Sequence, residues 1–204
     1  MYLFFDTETT GLPRNWKAPV TEVNNWPRMV QLAYLYYDSN GNKIAGGDFI
    51  IKPEGFTIPA DASRIHGITM DKATREGKML LPVLQDFQSL VNQAGYLVAH
   101  NMSFDEKIVG AEFLRNNMPN SVASKKKICT MESATDFCAI ESAYGKYKWP
   151  KLSELYFKLF RTELKEAHNA AIDIAATAAC FWELKRLGKI ARGIPSSAQT
   201  ATLF

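Results

Sequence analysis

The stretch that most constrains this chain is its first. Tyr2-Leu3-Phe4-Phe5 runs directly into Asp6-Thr7-Glu8, followed by Thr9-Thr10-Gly11. The apolar run reads as a buried strand. Strand side chains alternate between faces, so Asp6 and Glu8 project from the same one. Two carboxylates side by side at the end of a buried strand repel each other and resist desolvation. A divalent cation is the usual compensation. The same residues would also suit a strand that ends in a solvated acidic turn, so the remainder of the chain decides between the two.

A long polar loop with Trp16 and Trp26 occupies residues 12–27. Loops of this length are often functional. Residues 29–37 read as a buried strand. Asn40-Gly41 marks a hairpin turn, and residues 43–51 return as a third strand closed by Pro53. Residues 58–67 form a loop with a short helical turn, and Thr69 caps a helix over 70–76. Leu81, Leu84, Phe87 and Val91 then share a helical face. A short strand at 96–99, a helix at 103–116 and a strand at 127–129 follow, with helices over 130–138, 152–160 and 170–187. This order predicts an α/β fold: a mixed five-stranded sheet, built from a three-strand antiparallel meander plus two further strands, flanked by helices. One domain over residues 1–187 and a flexible C-terminal tail over 188–204 complete the reading.

Composition adds bounds. The chain has 204 residues, 47% hydrophobic and 22% charged, enough for one sizeable core. A net charge of +3 is too small to argue for a nucleic-acid partner by itself. Cys129, Cys138 and Cys180 have no C-x-x-C spacing and suggest reduced thiols. The N-terminus lacks the basic and apolar regions of a signal peptide. No run approaches the ~20 apolar residues of a membrane span. A soluble cytoplasmic protein is expected, with no membrane partner.

Two further clusters bear on the acids of the first strand. In His100-Asn101-Met102-Ser103-Phe104-Asp105-Glu106, Ser103 and Glu106 have the form of a capping box. Asp105 would then lie in the first helical turn, complementing the helix dipole or meeting Asp6 and Glu8 as a third acid. In His168-Asn169-Ala170-Ala171-Ile172-Asp173, one helix would set His168 and Asp173 about 140° apart. His168 therefore reads as a loop residue, Asn169 as the cap, and Asp173 as facing inward from the first turn. Ala170, Ala171, Ala175, Ala176, Ala178 and Ala179 would let this helix approach the sheet closely.

These residues carry a resemblance. Asp6-Thr7-Glu8-Thr9-Thr10-Gly11-Leu12 resembles the first motif of the DEDDh 3′–5′ exonucleases. His100 to Asp105 resembles their second, and His168 to Asp173 their third, H-x(4)-D. The sister class carries a Tyr four residues before the last Asp, where this chain has Asn169, so the His class is indicated. The likeness spans residues 1–187 and extends to the proofreading subunits of bacterial DNA polymerase III. It implies a ribonuclease H-like fold for an exonuclease domain. It also implies two Mg²⁺ or Mn²⁺ ions on Asp6, Glu8, Asp105 and Asp173, with Asp6 bridging and His168 as general base. Thr9, Leu12, Asp61, His66, His100 and Asn101 match positions of the family's terminal-nucleotide pocket.

The implied activity is metal-dependent hydrolysis from the 3′ end of DNA, releasing nucleoside 5′-monophosphates in proofreading or repair. The implied partners are a single-stranded or frayed 3′ end and a DNA polymerase. The closing residues Gln199, Leu203 and Phe204 are similar to sliding-clamp-binding peptides. RNA trimming by the same site is the alternative, and a non-catalytic nucleic-acid-binding module is another. The presence of all four acids and His168 argues against the latter.

Overall fold

In the computed structural model, which describes residues 1–143, 145–164 and 169–190, the sheet is built outward from β1 (Tyr2–Thr9). β2 (Met29–Tyr37) and β3 (Lys43–Ile50) extend it as an antiparallel meander on one side. β4 (Tyr96–Ala99) and β5 (Lys126–Cys129) add in parallel on the other, giving the order β3-β2-β1-β4-β5. The expected five-stranded mixed sheet is therefore present. The meander closes through a turn in which Gly41 takes a φ of 89° beneath the Trp182 indole.

Alternation along β1 separates two cores. Leu3 and Phe5 pack with Leu32, Leu84 and Phe87 on one face. Phe4 packs with Ile174, Phe181 and Leu184 on the other. The first face is covered by α3 (Leu80–Gln93) and α4 (Met102–Arg115), the second by α8 (Ala170–Arg186). α8 is anchored by rings: Phe181 lies 5.1 Å from Phe4 and Trp182 5.4 Å from Tyr2, both edge-on. Such aromatic pairs are worth about 0.5–1.5 kcal/mol beyond their burial. Shorter helices fill the connections: α1 (Ala60–His66), α2 (Met70–Glu76), α5 (Thr130–Ser133), α6 (Thr135–Cys138) and α7 (Leu152–Phe160).

Several local expectations change. Leu80 rather than Leu81 joins Leu84, Phe87 and Val91 in the core of α3, while Leu81 is exposed. Ser103 is not the cap of α4: Asn101 is, in a left-handed conformation with φ 69°. Ser103 Oγ donates to Asn101 Oδ1, and Glu106 pairs with Lys127 instead of closing a box. The helix expected over 130–138 is two short helices joined at Ala134. Of the α8 alanines, Ala170, Ala176 and Ala178 are buried, whereas Ala175 and Ala179 face solvent. Thr69 and Asn169 do cap their helices, accepting from Lys72 N and Ala171 N. The packed part of the chain also runs past 187. Lys189 N donates to Leu184 O, and Ile190 is buried in the second core.

The loop between β1 and β2 is held tightly. Trp26 is 3% exposed and donates its indole N–H to Pro19 O. Arg115 of α4 donates to Val23 O and Trp26 O. Trp26 is thus a loop anchor. Trp16 is half exposed, with its ring 5.8 Å from that of Phe104.

Candidate active site

The site forms where β1 outruns β4. Their parallel pairing ends at Phe4↔Val98, and β4 then turns through His100 and Asn101 into α4. Beyond that point β1 has no strand on its β4 side, and Asp105 from the first turn of α4 fills the gap. Its Oδ1 accepts from both Thr7 N (3.0 Å) and Thr7 Oγ1 (2.8 Å). Asp6 and Glu8, one residue either side of Thr7, lie on the Phe4 face, which α8 covers. The first turn of α8 brings Asp173 to them. One carboxylate oxygen from each of Asp6, Glu8 and Asp173 falls within 4.8 Å of the others. Asp105 is outside this tightest group and stands beside it.

The electrostatics are those of an acidic centre waiting for a cation. Burial, followed by the charges of Asp105, Glu8 and Asp173, raises the Asp6 carboxyl well above the ordinary carboxylate range. Glu8 is pushed up to about 8 by burial and then by Asp173 and Asp105. Asp105 is raised to about 7 by burial, against the opposing effect of its bonds from Thr7. None of the ion pairs among the described residues includes Asp6, Glu8 or Asp105. An all-oxygen set of converging carboxylates suits a hard divalent cation, so the residues fit the metal expected of them.

The remaining candidates are dispersed around this centre. Thr9 is buried, its hydroxyl donating to Gly11 O across the turn. Leu12 stands at the rim and is 74% exposed. His66 is buried, its Nδ1 accepting from Ile68 N. Its Nε2 comes near the Thr9 backbone without forming a full hydrogen bond, and burial lowers its pKa. Asp61 is exposed and pairs with Arg64, one turn along α1, rather than with the acids.

His100 departs from the expectation of a substrate contact. Its Nδ1 lies 3.0 Å from Thr130 Oγ1 and its Nε2 3.1 Å from Pro150 O, so both ring nitrogens are engaged internally. Burial lowers its pKa to about 4. Its task is to tie the end of β4 to the segments that follow β5 and precede α7. Asn101 accepts from Ser103 at the start of α4. His168 and the peptide Gln199, Leu203 and Phe204 lie outside the described residues.

Pattern reading passed over Thr7. The available signal was a hydroxyl between the two acids, which alternation assigns to the opposite face. Lys125 donates to Asn92 O and Ala94 O, Lys127 pairs with Glu106, and Lys148 pairs with Glu154.

Fold and site together define an α/β protein with a carboxylate centre that could hold a cation, and comparison with known proteins agrees. The RNase_T family of sequences, described as exonuclease, matches residues 3–181. A PolC-type DNA polymerase III from Streptococcus agalactiae is 34% identical over 176 residues, covering 86% of this chain and 10% of the relative. Its Streptococcus pyogenes counterpart is 31% identical over 201 residues, covering 98% of this chain and 12% of the relative. The chain thus spans about a tenth of the length of these curated relatives. Escherichia coli exonuclease I in complex with a dT13 oligonucleotide aligns with a TM-score of 0.74 at 23% identity, over 92% of this chain and 41% of that one, a likeness of fold. The chain belongs to the RNase_T exonuclease family, with a ribonuclease H-like fold.

Proposed function

We propose that this protein removes nucleotides from the 3′ end of DNA by metal-dependent hydrolysis, releasing nucleoside 5′-monophosphates, in proofreading or repair. The observation that carries this reading is the convergence of Asp6, Glu8 and Asp173 to within 4.8 Å beside Asp105. These acids would hold two divalent ions, Mg²⁺ or Mn²⁺. Such ions supply an activated water and charge stabilisation for the scissile phosphate and the leaving 3′ oxygen.

The chain's own groups do the rest. Thr7 holds Asp105 in one orientation through two hydrogen bonds. The raised proton affinities of Glu8 and Asp105 mean that protons compete with the cation, so occupancy rises with pH. His168 takes the proton of the attacking water; a neutral imidazole near pH 7 suits that task. Leu12, exposed on the rim, would stack against or wedge beside the terminal base. Thr9, His66 and Asn101 would shape the pocket for the terminal nucleotide, and Asp61 would have to leave Arg64 to reach its 3′ hydroxyl.

The related polymerases and the oligonucleotide-bound exonuclease I support a DNA substrate. A polymerase partner is proposed on the likeness to the former, and the closing peptide with Gln199, Leu203 and Phe204 is proposed to dock on a sliding clamp. The test is digestion of 5′-labelled single-stranded DNA and of its RNA counterpart with Mg²⁺, Mn²⁺ or EDTA. The expected result is a metal-dependent ladder on DNA shrinking from the 3′ end, absent in Asp6→Ala. A ladder on RNA alone would move the protein to RNA processing. Unchanged turnover in Asp6→Ala would sink the site assignment.

A further inference from the structure

Immediately past the acids, the loop between β1 and β2 encloses a cleft of about 430 Å³ whose walls include Thr10, Leu12, Arg14, Trp26, Arg28 and Arg115. Among the described residues, three guanidinium groups line it and no carboxylate does. The buried Glu112 carboxylate, to which Arg28 Nε donates at 2.8 Å, offsets one of these charges and leaves a cationic excess.

The arginines differ in role. Arg115 spends its donors on Val23 O and Trp26 O and so shapes the loop. Arg28 is fixed twice. Its side chain rests on Glu112 and over the Phe56 ring at 4.4 Å. Its backbone exchanges bonds with Thr10: Thr10 N donates to Arg28 O at 2.9 Å, and Arg28 N to Thr10 Oγ1 at 3.0 Å. Thr10 lies two residues beyond Glu8, so Arg28 is held in register with the acids. The terminal guanidinium nitrogens of Arg28 make no hydrogen bond among the described residues, and the side chain is 26% exposed. Arg14 is exposed and likewise unpaired among the described residues.

We propose that this cleft binds the phosphodiester backbone of the substrate strand, upstream of the nucleotide being removed. Arg28 is the pre-oriented contact and Arg14 the one that closes on the phosphate. The inference rests on the nuclease reading above. Guanidinium forks match phosphate oxygens in pairs. Lys125, Lys127 and Lys148, already bonded to carbonyls and carboxylates, compete poorly for the role.

The test is the anisotropy of a fluorescein-labelled oligo(dT) titrated with full-length protein in EDTA, where binding is read without cutting, over a range of KCl concentrations. Arg14→Ala should weaken binding about tenfold, the worth of one charge-assisted hydrogen bond. It should also lower the slope of log affinity against log salt by about 0.7, one phosphate contact on a single strand. Arg14→Lys should recover the slope. Arg28→Lys keeps the charge on Glu112 but loses the fork, and should weaken binding while its melting curve reports the fold. Wild-type affinity and slope in both Arg14→Ala and Arg28→Lys would overturn the proposal, as would no binding by the wild type. Metal-dependent trimming of the same oligonucleotide by the wild type tests the nuclease reading separately.

Discussion

Two clusters of charge in this fold, one buried and one partly buried, are built on opposite plans. In one, Glu112 is fully buried, and its Oε1 accepts from Arg28 Nε at 2.8 Å and Met29 N at 3.0 Å. Arg115 Nη1 also lies 2.8 Å from that oxygen, off the hydrogen-bond direction, so the contact is an electrostatic one. In the other, Asp6, Glu8 and Asp173 converge beside Asp105, and burial plus mutual repulsion raise the proton affinities of Asp6 and Glu8. The first cluster is compensated within the chain and fastens a loop to a helix. In the second, like charges meet, and a divalent cation is what would offset them.

The largest test of this contrast is Asp6→Asn. Activity should fall roughly a thousandfold or more, since several kcal/mol of charge stabilisation at the transition state goes with the metal site. The metal-free protein should nevertheless melt higher than the wild type, because one repelling charge is gone. A lower melting temperature in EDTA would break the comparison. Next is Glu112→Gln, which leaves two arginines facing a neutral group. Removing one partner of a buried pair costs about 3–5 kcal/mol, to be read by urea denaturation. A loss no larger than that of a surface mutant would show that the cluster is not a fastening.

The pH dependence sharpens the same point. Glu8 has a folded pKa of about 8 against an ordinary 4.5. The folded state therefore binds more protons across that window, and stability in EDTA should fall as pH rises through it. Saturating Mg²⁺ should remove the decline. Thermal melts from pH 5 to 8 in each condition check this, and a stability that rises with pH in EDTA would contradict it. His100 carries the opposite sign. Its folded pKa of about 4 lies below the ordinary 6.5, so the unfolded state binds more protons and stability should fall as pH drops through that window. His100→Gln should lose about 1–3 kcal/mol through its severed hydrogen bonds and flatten the acid decline; an unaltered decline would assign it to other groups. The smallest effect is expected for Asp61→Ala. Its exposed pair with Arg64 should leave the melting temperature unchanged, so that any loss of cleavage would report on substrate alone.

The acids were legible because the motif is local. Alternation along β1 aligned Asp6 with Glu8, and Asn169 announced the start of α8 four residues before Asp173. The partnerships were not legible. Arg28 and Glu112 are 84 residues apart and Thr7 and Asp105 are 98 apart, and no chain-local spacing relates them. His100 suited a substrate contact by position, until Thr130 and Pro150 took both of its nitrogens. The Ser103 and Glu106 spacing suited a capping box, but Lys127 offered Glu106 a charged partner from β5.

What the sequence determined by itself was the inventory: which residue types can bind a cation, in what order, and on which kinds of element. Those properties follow from side-chain chemistry and from helix and strand periods, which act over a few residues. The tertiary structure decided which acids meet and which charges are spent internally. β1–β4 pairing stops at Phe4↔Val98, and that register opens the gap that Asp105 fills. Register and helix docking arise from burying both faces of the sheet at once, a constraint on the whole chain that no single stretch of it carries.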